Sequence, residues 1–221
     1  MPVFYAPTFD PSSRQLPPDE SKHASRVLRM QVGDELEVVD GRGTRYLGSV
    51  SSVTPKEVII RIDDAILEAK RSHHLHLAIA PTKNRDRIEW LVEKAVEIGV
   101  ERITLLQADH SERAKINLDR LQRIMVSAMK QSKRSYLPEL IDLTPTLQFW
   151  PQAEEKEKYI AHCAPGQKAT LNDIYGRDCV IAIGPEGDFS EQEIKGALAG
   201  GFAPLHLGDM RLRTETAGLL S

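Results

Sequence analysis

Ile181-Ala182-Ile183-Gly184-Pro185-Glu186-Gly187-Asp188-Phe189-Ser190 and Leu207-Gly208-Asp209-Met210-Arg211-Leu212-Arg213-Thr214-Glu215-Thr216-Ala217 are the stretches from which the fold of this chain is read. In each, an apolar run stops at glycine and opens into a dense polar loop. Apolar runs without alternation mark strands buried on both faces, as in parallel sheets. Open α/β sheets bind ligands beyond the carboxyl ends of their strands. The two loops therefore read as two walls of one site at the end of a mainly parallel sheet.

Working back from that end, the pattern alternates strand and helix as far as Leu75. Leu75–Ala80, Arg102–Leu106, Lys158–Cys163, Cys179–Ile183 and Pro204–Leu207 read as strands. Ile88, Leu91, Val92, Ala95, Val96 and Ile98 follow the i, i+3, i+4, i+7 spacing of a helix that Gly99 ends. Asn117 caps a second helix whose apolar face is Leu118, Leu121, Ile124, Met125 and Ala128. Ser190 and Glu193 form a capping box for a third. Such alternation implies an α/β domain with a parallel sheet. Upstream the rhythm changes. Pro17-Pro18-Asp19-Glu20 opens a short helix carrying His23, Val27 and Met30. Glu35–Val39 and Tyr46–Val50 flank an Asp40-Gly41 turn, a hairpin signal, and Glu57–Ile62 adds a strand. A compact barrel with one helix is expected over residues 1–70 and the α/β domain over 71–221. Polar Asp63–Ser72 forms the join, with the two domains in contact.

Composition narrows the class. The chain has 221 residues, 41% hydrophobic and 28% charged, as in ordinary globular proteins. No apolar run reaches the length of a membrane span, and Met1-Pro2-Val3-Phe4-Tyr5 does not read as a secretory signal. Two cysteines make no disulfide framework, which places the protein in a reducing cytoplasm. A net charge of -3 argues against a generally basic nucleic-acid binder, but phosphate contact depends on where cations cluster.

The clusters are Lys22, Arg26 and Arg29; Lys83, Arg85 and Arg87; Arg113 and Lys115; and Lys130, Lys133 and Arg134. The first recurs three or four apart, so on a helix it shares one face. The second sits in the Pro81–Arg87 loop beyond a strand end, on the site side of the sheet. These two groups read as RNA contacts rather than solvated surface. His73, His74 and His76 cluster near a strand start without zinc-site spacing, and they read as strand-edge histidines, not metal ligands. Gly184–Gly187 lacks the lysine and spacing of nucleotide fingerprints and could be a plain strand-to-helix turn. Thr214 and Glu215 read as the N-cap and acidic first turn of a helix. Arg213 does not fit that reading, because a cation there opposes the helix dipole. It points to an anion or a developing negative charge.

Taken together, these residues resemble the RsmE family, SPOUT-class methyltransferases that modify a uridine at N3 in 16S ribosomal RNA of the small subunit. The resemblance rests on the two opening stretches, His23-Ala24-Ser25-Arg26-Val27-Leu28-Arg29, Lys94–Val100, and Lys130-Gln131-Ser132 with Pro138-Glu139. It covers nearly the whole chain. It implies a PUA-like RNA-binding β-barrel at the N-terminus and a SPOUT α/β domain with a C-terminal trefoil knot. It also implies S-adenosylmethionine (SAM) without a metal, and a homodimer acting on the small ribosomal subunit. Ile183, Gly184, Gly187, Leu207, Gly208 and Leu212 match the cofactor-cradling positions, and Glu186 and Thr214 are placed with them. Arg213 and Glu215 match the polar positions facing the substrate. Asp188 stands where the family often has glycine, and Arg211 where an aliphatic residue is common. Only seven residues follow Thr214, so the terminal helix is expected to be incomplete.

The implied reaction needs a deprotonated uracil N3 in a base splayed out of the RNA. Arg213 would stabilise the charge spreading to the flanking carbonyls, and Glu215 would orient Arg213 or relay the proton. Two alternatives stay open: a non-catalytic RNA-binding or ribosome-assembly protein that keeps the fold, and a phosphate-binding α/β enzyme, which the absent lysine disfavours.

Overall fold

The computed structural model of the chain describes residues 1–112, 115–174 and 178–221. They form two compact units, Met1–Lys70 with Val126–Leu137, and Arg71–Met125 with Pro138–Ser221. No helix among the described residues is long and apolar enough to cross a membrane.

The first unit is a four-stranded sheet in the order β1 (Val3–Tyr5), β2 (Glu35–Val39), β3 (Thr44–Val53) and β4 (Val58–Leu67). β1 runs parallel to β2, and the other neighbours pair antiparallel. Two register shifts in β3 bend the sheet around a core of Phe4, Leu16, Leu36, Val38 and Ile60. β4 continues to Leu67, through residues whose polarity reads as a linker. The loop between β2 and β3 is longer than a two-residue hairpin, because Asp40 accepts from the Arg42 and Thr44 N–H groups at 2.7 and 2.9 Å. Pro18–Lys22 form α1, and His23–Val27 continue as a π-helical turn closed by Leu28 N–H donating to His23 O.

Val126–Leu137 complete this unit from far along the chain. Tyr136 bridges Gly41 and Arg42, and its hydroxyl donates to Glu68 O at 3.0 Å. Ser135 N–H donates to a Glu68 carboxylate oxygen at 2.8 Å. Gly43 has φ 109°, and a Cβ there would lie 2.3 Å from the Tyr136 ring. Only glycine fits.

The second unit is a seven-stranded, wholly parallel sheet. Its strands are β5 (Leu75–Ile79), β6 (Arg102–Gln107), β7 (Glu139–Pro145), β8 (Glu157–Ala161), β9 (Ala169–Thr170), β10 (Cys179–Ile183) and β11 (Ala203–His206), in the order β7-β6-β5-β10-β8-β11-β9. β7 and β9 were not visible as apolar runs. The helices are α2 (Arg85–Ile98), α3 (Leu118–Gln131), α4 (Thr146–Gln152), α5 (Leu171–Ile174), α6 (Glu191–Ala199) and α7 (Thr214–Leu220). α2 is capped by Asn84 and stopped by Gly99 in the left-handed region at φ 110°. An aromatic core of Phe149, Trp150, Phe189 and Phe202, with ring centroids 4.9–6.2 Å apart, fills one side of the sheet.

His76 is not at an edge. β5 lies between β6 and β10, and His76 is buried in the sheet. Its Nδ1 donates to Glu155 Oε1 at 2.6 Å, since an ionised carboxylate can only accept, and its Nε2 lies 2.8 Å from Thr104 Oγ1. Burial opposes ionisation of Glu155, but the His76 hydrogen bond, a backbone N–H and the nearby Arg102 outweigh it and hold the carboxyl down to about 2. A depressed carboxyl stabilises the fold above its ordinary value of 4.5, and that contribution disappears as pH falls towards 2. The thermal midpoint of Glu155→Gln is therefore expected to lie below that of the parent at neutral pH, the gap closing through this window. A gap that stays constant with pH would contradict the assignment.

Candidate functional site

From β5 the chain lays strands outward through β6 and β7, and the remaining strands lie on the other side, beginning with β10. The β5/β10 boundary is thus the point where strand order switches, the place where such sheets hold ligands. Ala80 N–H donates to Ile183 O across it at 3.0 Å. The loops after β5, β6, β8, β10 and β11 all leave from this end, because the strands are parallel.

The turn after β10 closes on itself and on its neighbours. Asp188 N–H donates to Pro185 O at 2.9 Å, and Asp188 takes φ 64°. A short polar side chain tolerates this region. Here the carboxylate accepts from Phe189 N–H at 2.8 Å and, from the loop after β8, Cys163 N–H at 2.7 Å. A Cβ on Gly184 would sit 3.1 Å from the Phe189 ring, and one on Gly187 3.0 Å from His110 Cβ. Both glycines let the turn pack against its own chain. His110 Nδ1 donates to the carbonyls of Gly187 and Asp188 at 3.1 and 2.9 Å. Glu193, fully buried in α6, ties the same loops together. Its carboxylate accepts from Ser190 N–H (2.8 Å), Asp109 N–H (3.0 Å) and Thr146 Oγ1 (2.7 Å). Ser190 Oγ donates to Asp109 at 2.5 Å.

The wall after β11 is different. Gly208 has φ 116°, and a Cβ there would meet nothing within 4 Å. Gly208–Leu212 form no backbone hydrogen bond within the chain among the described residues, and Gly208–Arg211 are exposed. Leu207 and Leu212 are half-buried. α7 then returns to pack on α2 and β10. A Cβ on Gly218 would lie 2.7 Å from Ile79 and 3.2 Å from Leu91, so glycine sets this close approach.

Helix α7 begins at Thr214, with Arg213 as its N-cap through backbone alone. Thr214, read above as the cap, is instead buried in the first turn. Arg213 is exposed and makes no side-chain hydrogen bond or ion pair among the described residues. Glu215 is only 6% exposed, and its Oε1 lies 3.6 Å from Arg87 Nε, not from Arg213. Its Oε2 is buried without a partner among the described residues. A buried carboxylate oxygen in that state is costly unless a donor arrives.

The cationic groups are rearranged relative to the sequence reading. Lys83 stays in a loop, its Nζ 2.5 Å from Glu112 Oε2, and its N–H donates to Glu186 at 3.3 Å. Arg85 and Arg87 belong to the first turn of α2 rather than to that loop. Lys22 ends α1, Arg26 lies in the π turn and Arg29 lies outside it at φ 54°. All three are exposed, but the wider π turn and the break after it remove the single α-helical face. Lys130 pairs with Glu20 at 2.8 Å inside the first unit. Arg113 lies outside the described residues.

The sequence reading missed Asp109, His110 and Glu112. Their signal was nonetheless present, as a polar run straight after the apolar Ile103–Leu106.

Residues 69–221 match the RNA methyltransferase domain family, and residues 16–63 match the RNA methyltransferase PUA domain. A Porphyromonas gingivalis crystal structure described as a probable rRNA-methyltransferase shares 40% identity, covers 100% of this chain and 94% of its own, and superposes with a TM-score of 0.90. The ribosomal RNA small subunit methyltransferase E of Neisseria gonorrhoeae, solved bound to SAM, shares 27% identity over 99% of this chain and 94% of its own, with a TM-score of 0.84. The protein of that name from Buchnera aphidicola is 29% identical over 92% of this chain and 83% of its own.

Proposed function

We propose, for a chain that belongs to the RNA methyltransferase family, that it transfers a methyl group from SAM to 16S ribosomal RNA of the small subunit, at N3 of a uridine. The observation that carries this reading is the pairing of two features in the stretch after β11: the exposed Gly208–Arg211, without backbone hydrogen bonds among the described residues, and an Arg213 that has no side-chain partner among them, two residues from a Glu215 oxygen that has none either. The PUA domain ahead of it supports RNA as the substrate. So do the relatives named for the small ribosomal subunit.

The residues present fit SAM. Open space around Gly208 and the unspent peptide groups beyond it suit an adenine, whose edge both donates and accepts. Ile183, Gly184, Glu186, Gly187, Leu207, Gly208, Leu212 and Thr214 would hold it, and among the described residues no His, Cys, Asp or Glu group is gathered for a metal. When bound, SAM supplies a methyl group already activated by its sulfonium. What this chain adds is an anion-stabilising Arg213 and, at Glu215 Oε2, an acceptor for the uracil N3 proton. Glu215 Oε1 faces Arg87 rather than Arg213, which leaves Glu215 the proton-accepting role. We place the protein in the cytoplasm as a homodimer, with the chain passing Gly208–Arg213 as a trefoil knot.

Calorimetry with millimolar SAM is expected to show binding. Gly208→Val, which forces a branched residue to φ 116°, is expected to weaken it by roughly five- to a hundredfold, the equivalent of about 1–3 kcal/mol of backbone strain. Methylation mapping of small-subunit ribosomal RNA from cells lacking the protein should show one uridine unmodified, restored on re-expression. No heat with SAM, or an unchanged map, would end the methyltransferase reading and leave the assembly-protein one.

A further inference from the structure

The three cations at the mouth of the site are not waiting bare. Lys83 faces Glu112, Arg85 Nε lies 3.2 Å from Glu89 Oε1, and Arg87 Nε lies 3.6 Å from Glu215 Oε1. In each pair the cation is the more exposed partner: 74% against 56%, 59% against 11%, and 37% against 8%. The cations therefore form an outer layer with carboxylates behind them. Glu89 also receives two hydrogen bonds from Arg120, at 2.5 and 2.7 Å, so it keeps a partner if Arg85 leaves. Among the described residues Glu215 has no such second cation, and its Oε2 has no partner.

We propose that RNA docking on this edge is an exchange of partners, in which backbone phosphates take Lys83, Arg85 and Arg87 from their carboxylates, and the exchange at Arg87 releases Glu215 to the substrate base. The inference rests on the reading of Lys83, Arg85 and Arg87 as RNA contacts. Its physical basis is the imbalance between two kinds of ion pair. The exposed Lys83–Glu112 pair is worth little, and a cation meeting a nucleic-acid backbone gains the release of condensed counterions. The half-buried Arg87–Glu215 pair costs more to open, and the donor that the base brings to Glu215 offsets that cost. Phosphate wins the exchange without having to dislodge a buried group, because the cations lie outermost. Until it arrives, the surface presents balanced charge to polyanions at large, in keeping with a chain of net charge -3. Once Arg87 has turned to phosphate, the buried Glu215 carboxylate is left needing a donor, and the N3–H of a docked uracil is one. That proton passes to Glu215 Oε2 as the N3 lone pair forms the new bond to carbon. The C–S bond breaks with its electrons onto sulfur, and the carboxyl later returns the proton to solvent.

The exchange predicts that removing an acid tightens RNA binding. Equilibrium binding of the full chain to a fluorescein-labelled, uridine-containing single-stranded RNA separates the cases. Lys83→Gln is expected to weaken binding. Glu112→Gln is expected to tighten it about two- to fivefold, and the double variant should fall back to the Lys83→Gln level. Glu154→Gln, an exposed acid at the amino ends of the strands, controls for net charge and should change nothing. Glu215→Gln should tighten binding while losing methyl transfer, so that the two measurements move in opposite directions. If Glu112→Gln and Glu215→Gln bind like the parent or more weakly while Lys83→Gln still binds poorly, the exchange is wrong and the RNA reading stands. If Lys83→Gln and Arg87→Gln both bind like the parent, the RNA reading of this edge fails with it. Glu112 is exposed and holds nothing in the core, so its substitution keeps the test decisive should Glu215→Gln fold poorly.

Discussion

Replacing Arg213 with alanine is expected to slow methyl transfer by about 10²–10³-fold, with SAM affinity unchanged. The size follows from the loss of one preorganised donor at a site of developing negative charge. The separation of the two readouts follows from the structure. Arg213 caps α7 through its backbone, and its side chain is exposed and unpaired among the described residues. Truncating it leaves no buried orphan and does not touch the Gly208–Leu212 edge. Arg213→Lys keeps a charge but not the planar fork, and should recover part of the rate. Single-turnover transfer at saturating SAM, with calorimetry on the same samples, measures both. A rate within a few-fold of the parent would remove Arg213 from the chemistry, and a parallel loss of SAM binding would reassign it to the cofactor.

The second large effect is on stability. Glu193 looks like one half of an ordinary capping box, whose loss costs about 1 kcal/mol. In the fold it is fully buried, and its carboxylate also serves Asp109 N–H and Thr146 Oγ1, so three donors from separate elements converge on it. Glu193→Ala leaves all three without an acceptor, and the expected cost is about 3 kcal/mol. For a chain of this size that lowers the thermal midpoint by roughly 6–12 °C. Because Asp109 and Ser190 flank the His110 clamp on Gly187 and Asp188, SAM binding should weaken in the same variant. A drop of only a few degrees with unaltered SAM binding would show that the box is merely a cap.

What could be read from the sequence was what depends on neighbours along the chain. β10 declared itself as an unbroken apolar run and β5 as one broken only by His76, α2 by its periodicity and the glycine after it, and α6 by its capping box. Asp188 at φ 64° is a local matter too, since a side chain that can bond to nearby N–H groups can hold that turn. β7 and α4 were missed because their apolar positions are few and interrupted by threonine and proline, and β9 because it is two residues long. The cation face of Lys22, Arg26 and Arg29 was drawn on an α-helix that a π turn interrupts. Pairings between elements far apart in the chain, such as His76 of β5 with Glu155 or Arg87 of α2 with Glu215 of α7, are set by the topology, which no local pattern encodes. The site was legible as two loops and one ill-fitting arginine. Which carboxylate faces which cation was not.

The return of Val126–Leu137 to the first unit has a consequence for how the protein is made. A ribosome releases the chain from its amino end, so Met1–Lys70 emerge long before the residues that close them. Until Ser135 and Tyr136 appear, Glu68 lacks the N–H and hydroxyl donors that hold the end of this unit, and Gly41 and Arg42 lack their bridge partner. The first unit therefore cannot mature as soon as it is synthesised. It stays incomplete while β5, α2, β6 and α3 are being made, and closes only after residue 137 leaves the exit tunnel.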